Sequence, residues 1–403
     1  MKKIFFVAIA ATLLAAGCQK TEVINQVNPV DGTSMTFAPN LGKLTKAATA
    51  EGAGETNLSE QDFRLWAYYV AADPNRGAGA NDVYDGMFNI SISDGTGETK
   101  TDWKATTTHF WPGKDKELKF FAISADPDTY GSEGSKTTTS GEGKTASKVN
   151  VDAETNTMTV TGFSVNSVKP DTDLMVADYV VAAQKGSENY TSNTVAFTFR
   201  HALTKVQFAF RNSDADNMNV YVQQMFVENI KTTGNLTVKT TTDKTGLAAM
   251  AWDVTAEPKA IFAGDYTTTA DDGTFTTPEK AENYDTAWAP KGVTIASNGY
   301  MKLTKNYEPY TTWLVIPQDV YVAGEAGADP LTDLKVTIAY VIESNNEVRQ
   351  FVQTFSLGSA TVVPAWGINQ YVKYNINLTP NIIGFSATVA PWDETSGNTN
   401  INE

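Results

Sequence analysis

Val206, Phe208 and Phe210 alternate with Lys205, Gln207 and Ala209, and this two-residue rhythm, rather than a helical one, recurs along the 403-residue chain. A period of two sends successive side chains to opposite faces of an extended strand. Residues 63–70 are dense in aromatic and β-branched side chains, which predicts a strand buried on both faces. The same reasoning predicts strands over residues 118–123, 157–165, 173–181, 194–200, 203–211, 219–230 and 235–240. Further strands are predicted over residues 311–317, 333–342, 348–357, 371–378 and 382–392. No segment keeps an i, i+3, i+4, i+7 apolar repeat with capping signals over three turns. The fold class is therefore all-β, with long decorated loops rich in turn residues such as Asp94-Gly95-Thr96-Gly97 and Asp271-Asp272-Gly273.

Composition narrows the chemistry. The formal charge of -15 opposes phosphate binding, so no nucleic-acid partner is expected. Two histidines and one cysteine exclude Cys/His zinc clusters, haem attachment and an internal disulfide. Histidine-dependent triads are disfavoured for the same reason, and no phosphate loop or Gly-x-Ser-x-Gly elbow occurs. The chain reads as a non-enzyme without cofactor, metal or catalytic residue. His201 and His109 read as structural, and the acid pairs Asp126/Asp128, Asp171/Asp173 and Asp214/Asp216 as solvated loop carboxylates. Trp252 and Trp288 fall in loop-like segments where an indole could stack on a sugar ring.

The opening residues carry an address. Lys2 and Lys3 precede an apolar run over residues 4–16, too short to span a bilayer but suited to a signal sequence. It ends in Leu14-Ala15-Ala16-Gly17-Cys18, small residues before the chain's single cysteine, the pattern of a bacterial lipoprotein signal. Ala15 stands where a larger aliphatic residue is usual. An ordinary secretory signal with an incidental cysteine is the alternative. Acylation of Cys18 would give a durable anchor, since each buried methylene contributes roughly 0.8 kcal/mol. Gln19, which is not acidic, favours the outer membrane over the inner by analogy with sorting rules. Residues 19–60 are polar, broken by one short apolar alternation at Met35 and Phe37.

Several segments together resemble the fimbrillin superfamily, the type V pilins and Mfa-like major or minor fimbrial lipoproteins. They are Cys18, Thr107-Thr108-His109-Phe110-Trp111-Pro112, Leu118-Lys119-Phe120-Phe121-Ala122, Asp173-Leu174-Met175-Val176-Ala177, Phe199-Arg200-His201-Ala202-Leu203, Trp366-Gly367 and the strands ending at Trp392. The resemblance implies two tandem transthyretin-like β-sandwich domains, over residues 47–205 and 206–403, behind a signal peptide (1–17) and a pro-segment (18–46). It also implies assembly by donor-strand exchange. The pro-segment supplies a removable strand with Met35 and Phe37 in pockets, a protease cuts between Lys46 and Ala47, and a C-terminal strand of another subunit fills the gap. Ile382, Phe385, Val389 and Trp392 mark the candidate donor strand. Pilins matured by arginine-specific proteases carry arginine at the cut, whereas the first arginine here is Arg64, inside a predicted strand. The implied partners are other subunits in a homo- or hetero-polymer, the outer membrane before processing, and a host protein or glycan receptor. The function expected is that of a cell-surface fimbrial adhesion subunit. The alternatives are a monomeric glycan-binding lipoprotein and, behind it, a secreted hydrolase with a carboxylate pair about 5–10 Å apart.

Overall fold

The alternation at residues 204–211 becomes a strand whose Val206, Phe208 and Phe210 are fully buried, and the rest of the fold repeats that pattern. The computed structural model describes residues 33–41, 63–92, 103–105, 107–124, 148–165, 173–240, 249–255, 259–264, 301–321, 334–344, 347–359, 362–379 and 383–392. The first half contributes β1 (Thr36–Leu41), β2 (Phe63–Tyr69), β3 (Val83–Ile92), β4 (Trp103–Ala105), β5 (Leu118–Ser124), β6 (Lys148–Asp152), β7 (Thr157–Ser164), β8 (Met175–Ala177), β9 (Val180–Ala182) and β10 (Thr194–His201). The second half begins with β11 (Thr204–Arg211), β12 (Asn219–Lys231), β13 (Thr233–Lys239), β14 (Met250–Val254), β15 (Lys259–Gly264), β16 (Met301–Lys302) and β17 (Glu308–Val315). It ends with β18 (Gln318–Asp319), β19 (Lys335–Ser344), β20 (Glu347–Ser356), β21 (Ala365–Trp366), β22 (Gln370–Leu378) and β23 (Ile383–Pro391). No α-helix occurs among the described residues, so the all-β expectation holds.

The largest sheet runs β1-β10-β8-β5-β2-β3-β4, with β9 also on β5. It curls until β1 and β4, at opposite ends of that order, come back alongside each other. β2 shows why both faces must be apolar. Phe63, Leu65, Ala67 and Tyr69 point into the curl with Phe120, Phe197 and Phe199, while Trp66 and Tyr68 point outward into a second core. That second core is shared with the sheet β14-β13-β7-β6, through Met158, Val160, Leu236 and Val238. β13 and β14 lie beyond residue 206 yet complete the sheet begun by β6 and β7.

Two further sheets pack face to face. The sheet β17-β11-β22-β23 faces the sheet β15-β12-β19-β20, to which β16 adds at β12. Phe208, Trp313, Val372 and Tyr374 from the first meet Val222, Met225, Ile338 and Tyr340 from the second in one continuous apolar core. Phe208 stacks on Tyr374 at 5.1 Å between ring centroids, and Trp366 Nε1 donates to the Tyr374 hydroxyl at 2.9 Å, which keeps both polar atoms satisfied in the interior.

Candidate assembly site

β1 occupies the free edge of β10. It runs parallel to it, with Thr36 opposite Thr194 and Leu41 opposite Phe199. Parallel neighbours in a compact chain need a long crossover, and this pairing joins residues separated by more than a hundred positions. Its anchoring is local and explicit. Met35 N donates to His109 O at 2.8 Å, Thr36 N to Asn193 O at 3.2 Å, and Trp111 N to Thr33 O at 3.0 Å. The Thr36 and Thr194 hydroxyls hydrogen-bond at 2.7 Å, and Gln184 Nε2 donates to the Thr33 hydroxyl at 3.0 Å.

The two side chains that the sequence singled out in this stretch are both buried. Met35 and Phe37 are each only 6% exposed, inside the curl of the large sheet. Phe37 meets Phe120 edge-on at 6.4 Å, and Trp111 flanks the same ring at 6.0 Å. Burying each such side chain contributes roughly 1.5–3 kcal/mol. Residues read from sequence mainly as polar linker therefore include a core-filling strand. Cys18, Lys46 and Ala47 lie outside the described residues. Arg64, by contrast, is a buried member of β2, paired with Asn89 on one side and Ile123 on the other. A cut there would sever an internal strand of the large sheet.

The C-terminal candidate strand also sits at an edge. Among the described residues β23 pairs with β22 alone, antiparallel, with Phe385 opposite Ile376, Ala387 opposite Tyr374 and Val389 opposite Val372. Ala387 is buried and Val389 and Trp392 are half-buried against the core. Ile382 lies outside the described residues. Trp392 N donates to Asn369 O at 2.7 Å, and its indole lies on the His201 ring.

His201 is where the two halves of the chain meet. It ends β10, and β11 starts three residues later. The Nδ1–H of His201 donates to Asp173 Oδ2 at 2.8 Å, with both side chains buried. Asp173 is thus an interior partner of a histidine rather than a solvated loop acid, because the turn before β8 carries it under the β10–β11 corner. Around that corner Ala202 N donates to Leu174 O at 2.8 Å, Thr204 Oγ1 to Gly367 O at 2.7 Å, and Asn369 N to Leu203 O at 3.0 Å. Trp252 belongs to the same knot. It lies in β14, not in a loop, and its Nε1 donates to Ala202 O at 2.7 Å while its ring packs on Phe163 at 5.6 Å. An indole so engaged packs the corner and does not face a sugar. Trp288 lies outside the described residues. No cluster of three or more His, Cys, Asp or Glu suited to a metal occurs among the described residues.

A family model described as Fimbrillin-like matches residues 45–392. The chain belongs to the fimbrillin-like family. This bears out the resemblance read from the ordered segments. The chain is 26% identical over 202 residues to the fimbrium subunit Fim1C of Phocaeicola vulgatus, a match covering 49% of this chain and 48% of that protein. It therefore spans about half the length of this curated relative. A crystal structure of a fimbrial protein from Bacteroides vulgatus shares the fold with a TM-score of 0.53 at 16% identity, covering 89% of this fimbrillin-like chain and 99% of that one.

Proposed function

We propose that this fimbrillin-like chain is a non-enzymatic subunit of a surface fimbrium that assembles by strand exchange and mediates adhesion. It reaches the outer membrane as a lipoprotein acylated on Cys18, is cut between Lys46 and Ala47, and loses β1. The groove so vacated takes a strand from another subunit. The observation that carries this reading is β1 itself. It is an edge strand in which Phe37, with Met35 just before it, is buried, and hydrogen bonds and packing hold it to the rest of the large sheet. Removing such a strand exposes apolar pockets beside unpaired backbone groups of β10, which is the recognition surface of β-augmentation.

The family match begins at residue 45, one position before Lys46, and leaves β1 outside it. The buried, internally paired Arg64 supports a lysine as the processing residue. In this reading the body of the subunit divides near the β10–β11 corner, into sandwiches over 47–205 and 206–403, with β13 and β14 reaching back across that line. Before processing, the acyl chains on Cys18 hold the subunit at the outer membrane. Afterwards its partners are other fimbrial subunits and a host receptor.

The test is the amino terminus of the surface-assembled protein. Sequencing is expected to start at Ala47. A start at Cys18 in assembled material would eliminate processing and, with it, the release of β1.

A further inference from the structure

One face of the sheet β17-β11-β22-β23 enters the apolar core, and the other carries polar side chains that the fold does not use up. β11 and β22 run parallel, which sets Lys205 opposite Tyr371, Gln207 opposite Lys373 and Arg211 opposite Asn377 on that second face. At one end the groups satisfy each other. The Tyr371 hydroxyl donates to Gln207 Oε1 at 2.6 Å, Gln207 Nε2 donates to the Thr312 hydroxyl at 3.2 Å, and the Lys205 ammonium lies 5.2 Å from the centre of the Tyr371 ring. Farther along they do not. The side chains of Lys373 and Arg211 make no hydrogen bond or ion pair with the described residues. Arg211 instead sits over the Tyr307 ring at 4.3 Å. Asn375, at the level between the two cations, keeps an amide oxygen without a hydrogen-bond partner among the described residues.

Two uncompensated cations on one face stand out in a chain of net charge -15. Burial holds the Lys373 ammonium below its ordinary value, so an anion placed beside it restores interactions that desolvation has removed. The guanidinium of Arg211, set over a tyrosine ring, presents a fork of donors suited to a planar anion. The neighbouring edge strand leaves this row open. β23 sets Thr388 beside Lys373, Ser386 beside Asn375 and Gly384 beside Asn377, all too short to cover it. Lys373 is level with Gln207, so Arg211 stands four residues farther along the parallel strands, about 13 Å away.

Resting on the adhesion proposed above, we infer that this face is the receptor-binding surface and that its ligand is an anionic polysaccharide. One acidic group of the polymer lies on Lys373, another on Arg211, and hydroxyls of the intervening sugar reach Asn375. The centre of a protein interface is apolar and depleted of charge. This face has charge at its middle, and the exposed large apolar side chains among the described residues, Val83 and Val352, belong to β3 and β20. A nucleic acid spaces its charges far more densely than two cations can neutralise, and the chain's own charge repels it. A charged glycan matches sparse cations, and its hydroxyls match the amide. The cations lie on β11 and β22, which loss of β1 leaves in place.

The experiment passes the full chain, produced free of lipid as Cys18→Ser, over immobilised polygalacturonate, dextran sulfate and neutral dextran. Retention on an acidic polymer and not on dextran is expected, weakening as salt is raised. Which acidic polymer is retained tells a carboxylated ligand from a sulfated one. Lys373→Gln combined with Arg211→Gln is expected to weaken binding at least about tenfold, whereas Lys373→Arg keeps the charge and the binding. Thr388→Glu leaves both cations untouched but sets a carboxylate beside Lys373, and is expected to weaken binding likewise. Thermal unfolding of each variant reports whether its fold is kept. No retention on either acidic polymer, equal retention on dextran, or binding unchanged in both weakening variants overturns the site. Attachment of cells displaying the chain to a host cell layer separates the two readings. Attachment without binding to either acidic polymer overturns the site and leaves adhesion standing, while polymer binding without attachment overturns adhesion and leaves the site.

Discussion

Trp392 lies flat on His201, with ring centroids 3.6 Å apart and planes 9° apart. The first residue after β23 is thereby fastened to the last residue of β10, and His201 is itself held by the buried carboxylate of Asp173. Whatever frees β23 must first peel this stack apart.

Replacing Trp392 with Ala is therefore expected to cost about 1–3 kcal/mol in urea unfolding, because a half-buried indole loses both its contact area and its stacking. Part of that loss belongs to the pair. A double-mutant cycle with His201→Ala is expected to return a coupling of about 0.5–1.5 kcal/mol. Strictly additive losses would mean that the stack contributes nothing beyond area.

Phe37→Ala probes β1. In the uncut chain it is expected to lower stability by about 3 kcal/mol, the usual cost of emptying a phenylalanine site. In processed, assembled protein the same substitution should have no effect, since residue 37 is no longer present. An equal loss in both forms, read by thermal unfolding, would show that β1 stays in place.

The buried Trp366–Tyr374 hydrogen bond joins β21 to β22 in the apolar core. Tyr374→Phe keeps the ring stack on Phe208 but leaves the indole N–H of Trp366 without its acceptor. The expected loss is about 1–3 kcal/mol, the penalty for an unsatisfied buried donor. A neutral result in denaturant unfolding would mean that the donor finds another acceptor.

Alkaline pH should unfold the protein through its buried tyrosines. Burial, reinforced by the carboxylates of Asp152, Glu117 and Glu343, pushes Tyr68, Tyr190 and Tyr221 up to about 12. Complete burial raises Tyr374 further. In the unfolded chain these phenols ionise near pH 10, so between about 10 and 12 the folded state holds more protons than the unfolded one and stability falls as pH rises. Burial lowers Lys119 and Lys373, which has the opposite sign and adds stability as pH rises toward the lysines' ordinary range. Stability by urea unfolding is thus expected to decline from about pH 10, with tyrosinate absorbance appearing together with unfolding. Stability that is flat or rising between pH 10 and 12 would contradict this.

The strands most legible in the sequence are those that bury a simple pattern. Residues 63–69 carry apolar side chains at every position but Arg64 because β2 is sandwiched between two cores, and β11 shows clean alternation because Val206, Phe208 and Phe210 enter the apolar core while Lys205 and Gln207 are buried on the opposite face beside Tyr371. Asp173 and Trp252 were not legible as packing residues. Their partners, His201 and Ala202, lie 28 and 50 positions away, and no local period encodes such a meeting. The closing of β6 and β7 by β13 and β14 escaped for the same reason, since alternation identifies a strand but not its neighbour. β1 was legible only as two apolar residues in a polar stretch. What makes it a core strand is the empty edge of β10, more than a hundred residues downstream.

If β1 is exchanged for a strand of another subunit, an immunoblot of surface material released by shearing, run in SDS without heating and after boiling, reads that exchange. Inserted strands dissociate slowly, because ladder bonds and pocket contacts must be lost together. A ladder in the unheated lane that collapses on boiling to one band lacking residues 18–46 is expected. A single full-length band that stays with the membranes in both lanes would contradict it.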